Sequence, residues 1–204
     1  SLKTMTIPLE QVATLAYFMF VASITPGPNN IMLAASAMNF GVWRTLPHFA
    51  GVVVGFSTMI FLVALGFGAI IEAFPPFQIM VSVLGTGYIL YLAWRIANGG
   101  ALGKSERKRP LYFHEGALFQ LVNPKGWTMA MTTAGMFLLP LDDKVTSAFG
   151  TALTSVFTQG PATSFWIFFG LAMAQLFQNP RTKKIINTML AIMLVACIPL
   201  MFLG

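Results

Sequence analysis

The chain has 204 residues, of which 56% are hydrophobic and only 9% charged, with a formal net charge of +6; an ordinary soluble domain carries about 25% charged residues. A core of this size cannot hide so much apolar surface, which excludes a soluble globular domain and makes lipid the expected solvent. The basic residues lie between apolar runs, where membrane orientation rather than nucleic-acid binding accounts for them, and the single cysteine, Cys197, excludes an internal disulfide.

At the start, Met5 reads as a natural initiator behind four added residues, and no cleavable signal peptide is expected. A spanning helix needs about 20 mostly apolar residues. Six such spans are expected, over 11–38, 47–71, 77–97, 115–139, 146–177 and 184–202. A rival count divides the first or fifth run into shorter helices. The expected fold class is therefore all-α, a polytopic membrane protein.

The first span contains "TPGPNN", residues 25–30. Proline removes a backbone donor and clashes with the preceding turn, so the helix should break over Thr25, Pro26 and Gly27. Pro28 suits the first turn of a new half-helix, which would leave the amides of Asn29 and Asn30 at its start. Irregular backbone at membrane depth is tolerated only against protein or a watery cavity, so this break should face the bundle interior. On the second span, Gly51 and Gly55 form a small-xxx-small pair expected to pack a helix closely. Ser57 and Thr58 need do no more than bond their own backbone, and His48 reads as an interfacial residue without a second ligand.

The longest polar stretch, 98–114, carries Lys104, Arg107, Lys108 and Arg109. Basic loops stay cytoplasmic. Placing this one inside assigns nine Lys and Arg residues to the cytoplasmic side, against Lys3 and Lys144 outside, and puts both termini outside. Trp43, Tyr91, Trp94 and Tyr112 fall at the same ends, where amphipathic rings prefer the interface.

The fourth span is interrupted by "NPKG", Asn123, Pro124, Lys125 and Gly126. Lys125 lies midway along it, where a lysine costs roughly 2.5–3.5 kcal/mol on insertion scales. No acid lies at that depth, so its partners should be carbonyls freed by the breaks, nearby amides, water or a substrate anion. Desolvation disfavours the ammonium form, which makes Lys125 the candidate carrier of a coupling proton; the alternative is a snorkelling lysine in a span of different register. In the fifth span, Gln159 beside Gly160 and Pro161 either lines a path or marks a kink.

Residues 1–97 and 115–204 thus form two sets of three spans separated by the basic loop. An odd number per set inverts the second relative to the first, and Pro26 and Pro124 break the first span of each. Paired interruptions at matching positions of inverted repeats point to a substrate site. A half-helix N-terminus attracts an anion such as a carboxylate. The breaks could also be structural kinks alone. No Walker motif, nucleophile elbow or Gly-rich fingerprint is present, no metal site is legible, and no cofactor is expected.

"TPGPNN" (25–30), "NFG" (39–41) and "RTLPH" (44–48), together with "NPKGW" (123–127), resemble the LysE superfamily of amino-acid exporters, in particular its RhtB branch, over nearly the whole chain. The resemblance implies a bacterial inner-membrane protein, not an enzyme, that exports amino acids and related metabolites, driven by the proton gradient. Exporters of lysine and arginine in that family tend to carry acids in the second and fourth spans; "GFSTM" (55–59) and "NPKGWTMAM" (123–131) have none, which favours neutral substrates. The combined reading is a proton-linked exporter whose half-helix ends and Lys125 bind the α-carboxylate while Asn29, Asn30 and Asn123 orient the rest. The competing reading is a membrane scaffold or lipid-handling protein with no transport cycle. A homodimer is compatible with six spans, but no interface is legible.

Overall fold

The computed structural model describes residues 8–99 and 109–199. Lys3, Met5, Lys104, Arg107 and Lys108, on which parts of the start-site and orientation readings rest, lie outside these residues. Among the described residues every regular element is helical: α1 (Leu9–Ile24), α2 (Pro28–Phe40), α3 (Val42–Leu62), a π-helical turn (Val63–Phe67), α4 (Gly68–Glu72), α5 (Pro75–Ala97), α6 (Phe113–Phe119), a 3-10 turn (Gln120–Val122), α7 (Pro124–Met136), α8 (Lys144–Leu176) and α9 (Pro180–Ala196).

The first expected span is α1 and α2, divided at residues 25–27, and the fourth is α6 and α7, divided at residues 120–123. The fifth is one continuous helix through Pro161. The second begins earlier than expected: Gly41, at φ +81°, turns the chain in a single residue, and α3 starts at Val42 with Pro47 inside it. Two segments, Val42–Glu72 and Pro75–Ala97, are long and apolar enough by themselves to cross a membrane. The others are shortened by a break or diluted by polar side chains.

The polar residues of α8 explain why that dilution is compatible with lipid. Ser147, Thr151, Ser155, Gln159 and Thr163 recur every four residues, one face of a helix, and all five are buried. Phe149, Phe157 and Phe168 on the same helix are 60%, 71% and 60% exposed. A soluble helix shows the opposite arrangement. This inside-out polarity gives the phenylalanines to an apolar solvent and the hydroxyls to the interior.

α3 and α8 cross at the centre of the bundle, where the hydroxyls of Ser57 and Ser155 bond at 2.8 Å. α6 lies directly on α3: a Cβ on Gly55 would stand 2.6 Å from Ala117 Cα, so the glycine pair read from the sequence is what lets the backbones touch. Two apolar clusters flank the breaks. One gathers one side of α2 with α5 and α9 around Ile89, Leu92 and Leu194. The other gathers α1, α3 and α7 around Met19, Ile60 and Ala130.

Candidate functional site

The first break strips α1 of the acceptors' usual partners, and side chains replace them. Asn30 Nδ2 donates to Ser23 O at 2.7 Å and to Thr25 O at 2.8 Å. Trp166 Nε1 on α8 donates to Ile24 O at 2.9 Å. Lys125 Nζ, from the other break, donates to Thr25 O and Thr25 Oγ1, both at 2.8 Å, and to Pro26 O at 3.4 Å. A helix C-terminus carries partial negative charge, so the end of α1 is a cation site and Lys125 is the cation in it. The contact is close: a Cβ on Gly27 would lie 2.7 Å from Lys125 Cδ, so any larger residue there would have to displace the lysine side chain.

The two proline-opened starts meet at this lysine. Gly27 is the N-cap of α2 and Asn123 that of α7, and neither cap makes a side-chain bond to its first turn. The first intrahelical bonds are Ile31 N–H to Gly27 O (3.0 Å) and Trp127 N–H to Asn123 O (3.1 Å). The N–H groups of Asn29 and Asn30, and of Lys125 and Gly126, precede them and have no intrahelical acceptor. Between the starts is a cavity of about 360 Å³, walled by both first turns together with Val52, Phe56 and Gln159. The lining includes no carboxylate.

Asn123 supplies a fully buried, unfilled acceptor at this site. The residue is 2% exposed and its Nδ2 donates to Gln120 Oε1 at 3.2 Å, but its Oδ1 has no hydrogen-bond partner. A buried unpaired acceptor costs about 1–3 kcal/mol, and a donor supplied by a ligand would remove that cost.

A family model for the LysE type translocator matches residues 20–199, which takes in both breaks and the whole cavity lining. The chain belongs to this family. It is 30% identical over 181 residues to a cysteine/O-acetylserine efflux protein of Klebsiella pneumoniae, covering 88% of this chain and 91% of the relative. Over the same shares it is 28% identical to the cysteine/O-acetylserine efflux protein of Salmonella typhimurium and 26% identical to that of Escherichia coli K12. No solved structure matches the chain.

The site residues read from this family member's sequence divide into two sets. Gly27, Pro28, Asn29, Asn30, Asn123, Lys125, Gly126 and Gln159 line the cavity. Thr25, Pro26 and Pro124 do not: the first two are exposed and serve through their carbonyls, and Pro124 opens α7. The side-chain amides of Asn29 and Asn30 are engaged within the protein. Asn30 closes the break, and Asn29 exchanges bonds with Gln120 at 2.9 and 3.1 Å.

Ser57 does more than bond its own backbone. It receives a bond from Gln159 Nε2 at 2.9 Å and shares one with Ser155, because α3 and α8 bring their hydroxyls together. Ser23 and Thr163 also line the cavity and Gln120 bonds both Asn29 and Asn123; of the three only Thr163 carries a local signal, lying one turn beyond Gln159 on the stripe of α8. His48 is fully buried in the protein, on α3 against Gly116 of α6.

Proposed function

We propose that this protein is a secondary active exporter of a neutral amino acid of the cysteine or O-acetylserine class, coupled to proton antiport, in the bacterial inner membrane. The observation that carries it is the polarity of the central site. The N-termini of α2 and α7 offer N–H groups to one cavity, and the carbonyls that follow α1 lie beside it, joined to it through Lys125, whose side chain lines the cavity and bonds them. A zwitterion is complementary to such a pair. Its carboxylate suits the positive helix starts, and its ammonium suits the carbonyls and Asn123 Oδ1. The absence of a carboxylate from the lining favours an uncharged side chain. The relatives' names agree with that class.

Antiport follows from competition. Lys125 Nζ sits on the carbonyls that a substrate ammonium would take. A protonated lysine excludes the substrate from them; a lysine that has given up its proton leaves them open. Proton and amino acid would therefore occupy the site in turn, which is what exchange of one for the other requires.

The architecture we infer for this cycle is six spans in two inverted repeats, 1–97 and 115–204, with the basic loop 98–114 cytoplasmic and both termini outside. Ser57 and Ser155, and Gly27 and Lys125, are contacting pairs each 98 residues apart, and Pro26 and Pro124 have the same spacing. Equivalent residues of two inverted halves meet in this way only at their shared axis, and a cycle in which one half rocks against the other would pivot there.

The test is reconstitution of the full chain in proteoliposomes with labelled cysteine, O-acetylserine, threonine or leucine under an imposed pH gradient. Gradient-dependent flux of a neutral amino acid is expected. No flux of any amino acid would sink the reading. A cytoplasm-active reporter fused to Gly204 should be silent, and strong activity would overturn the orientation.

A further inference from the structure

A second cavity, of about 370 Å³ and mainly apolar in its walls, lies between α2, α3, α5 and the segment that follows the basic loop. His48 and Arg95 wall it, with Ser36 and Asn39 beside them. His48 is 0% exposed and neither ring nitrogen has a hydrogen-bond partner; Arg95 is 4% exposed and its Nη1 has none. Arg95 Nη2 donates to Arg109 O at 2.9 Å, and the guanidinium lies 5.9 Å from the Tyr91 ring centroid.

A guanidinium does not lose its proton in a protein, and an ionised group out of water costs several kcal/mol unless it is paired. The nearest candidate counter-charge is already used. Glu115 is held by both Nη1 and Nη2 of Arg109, at 2.6 and 3.0 Å, the sole ion pair among the described residues. Among the described residues Arg95 therefore has no ion-pair partner of its own, only the more distant field of Glu115, and it walls the cavity with an imidazole beside it that has a donor to offer in any tautomer. Two fixed donors around one positive charge match the two oxygens of a carboxylate.

We propose that this cavity binds a small carboxylate anion. Its place gives the binding a purpose. His48 lies one helical turn, about 6 Å, before Val52, which lines the central cavity. On its other side, Asn39 and Phe40 are shared with a wider cleft of about 1080 Å³ lined by Arg44, Lys183 and Lys184. The exported amino acid would dock by its carboxylate at Arg95 and His48 before passing to the central site. That identification of the anion rests on the export reading; the site itself does not.

His48 and His114 are the chain's only histidines, so the full chain labelled with ¹⁵N-histidine in nanodiscs carries its own reporter. The imidazole resonances are followed while sodium acetate, L-serine, sodium phosphate or sodium chloride is added at matched ionic strength. A saturable shift of His48, but not His114, with acetate and L-serine is expected, at least tenfold weaker in Arg95→Gln and in Ala35→Leu. The second variant fills the cavity without touching its charge. No saturable shift in the wild type, or a shift of unchanged affinity in either folded variant, would overturn the site. A phosphate response equal to that of acetate would overturn its carboxylate selectivity. Wild-type flux with a silent His48 overturns this site alone. A responsive His48 in a protein without flux overturns the export reading and leaves the site standing.

Discussion

The two breaks interrupt their helices by the same chemistry and end in opposite states. At the first, the freed carbonyls of Ser23, Ile24, Thr25 and Pro26 are all taken, by Asn30, Trp166 and Lys125. At the second, Trp127 Nε1 caps Leu121 O at 2.9 Å and Gln120 Nε2 caps Gly116 O at 2.8 Å, while Asn123 Oδ1 is left unfilled. The difference is a division of labour. The first break is closed by the protein's own donors, one of them Lys125 from the second; the second leaves Asn123 Oδ1 unfilled, the acceptor that our reading gives to a ligand.

Removing the shared lysine should have the largest effect. Lys125→Met is expected to lower gradient-driven amino-acid export at least a hundredfold in proteoliposomes while the protein remains monodisperse. Wild-type rates would separate the two breaks mechanistically. Lys125→Arg should also fail to exchange, because arginine keeps its proton. Gly27→Ala comes next. Its Cβ would collide with the lysine stem at 2.7 Å, so transport should fall about tenfold as Nζ is pushed off the α1 carbonyls. A variant with normal flux would show that Lys125 does not need its seat.

The comparison itself is sharpened by a matched pair. Asn30→Ala strips two carbonyls of a buried donor and should destabilise the fold by about 1–3 kcal/mol, read as a lowered midpoint in thermal unfolding. Asn123→Ala should weaken substrate binding several-fold with a smaller change in stability. If the two variants swap these phenotypes, the assignment of a finished and an unfinished break is wrong. The smallest effect lies outside both. Asp143 caps α8, accepting from Val145 N–H at 2.9 Å, Thr146 N–H at 3.0 Å and the Thr146 hydroxyl at 2.6 Å. The Thr146 hydroxyl bond, foremost among these, holds its carboxyl below the ordinary value. A carboxyl whose pKa is lowered by folding stabilises the fold above the unfolded value and ceases to do so as pH falls through the folded one. Asp143→Ala should thus unfold a few degrees lower than wild type at pH 7, and the gap should close on acidification.

Much of this was written in local chemistry. Pro28 and Pro124 open helices because proline at the first turn sacrifices no bond, and that holds whatever surrounds them. Gly51 and Gly55 announced a close helix contact for the same kind of reason. The stripe on α8 was legible as a spacing but was outweighed by the apolar residues between its members, and only the burial of Ser147 and the exposure of Phe149 give it a direction. Membership of the LysE type translocator family was likewise visible in the paired breaks.

By itself, then, the sequence determined that the chain is helical and belongs in lipid, where it breaks, and that Lys125 must find neutral oxygen partners at depth. Those follow from composition and from backbone constraints that act over a few residues. Only the tertiary structure decided which oxygens they are, which acceptor stays empty at Asn123, and that His48 and Arg95 share a cavity. Each of these depends on which helix faces meet across about 50 to 100 residues of chain, and proline, glycine and hydropathy act over too short a range to specify that.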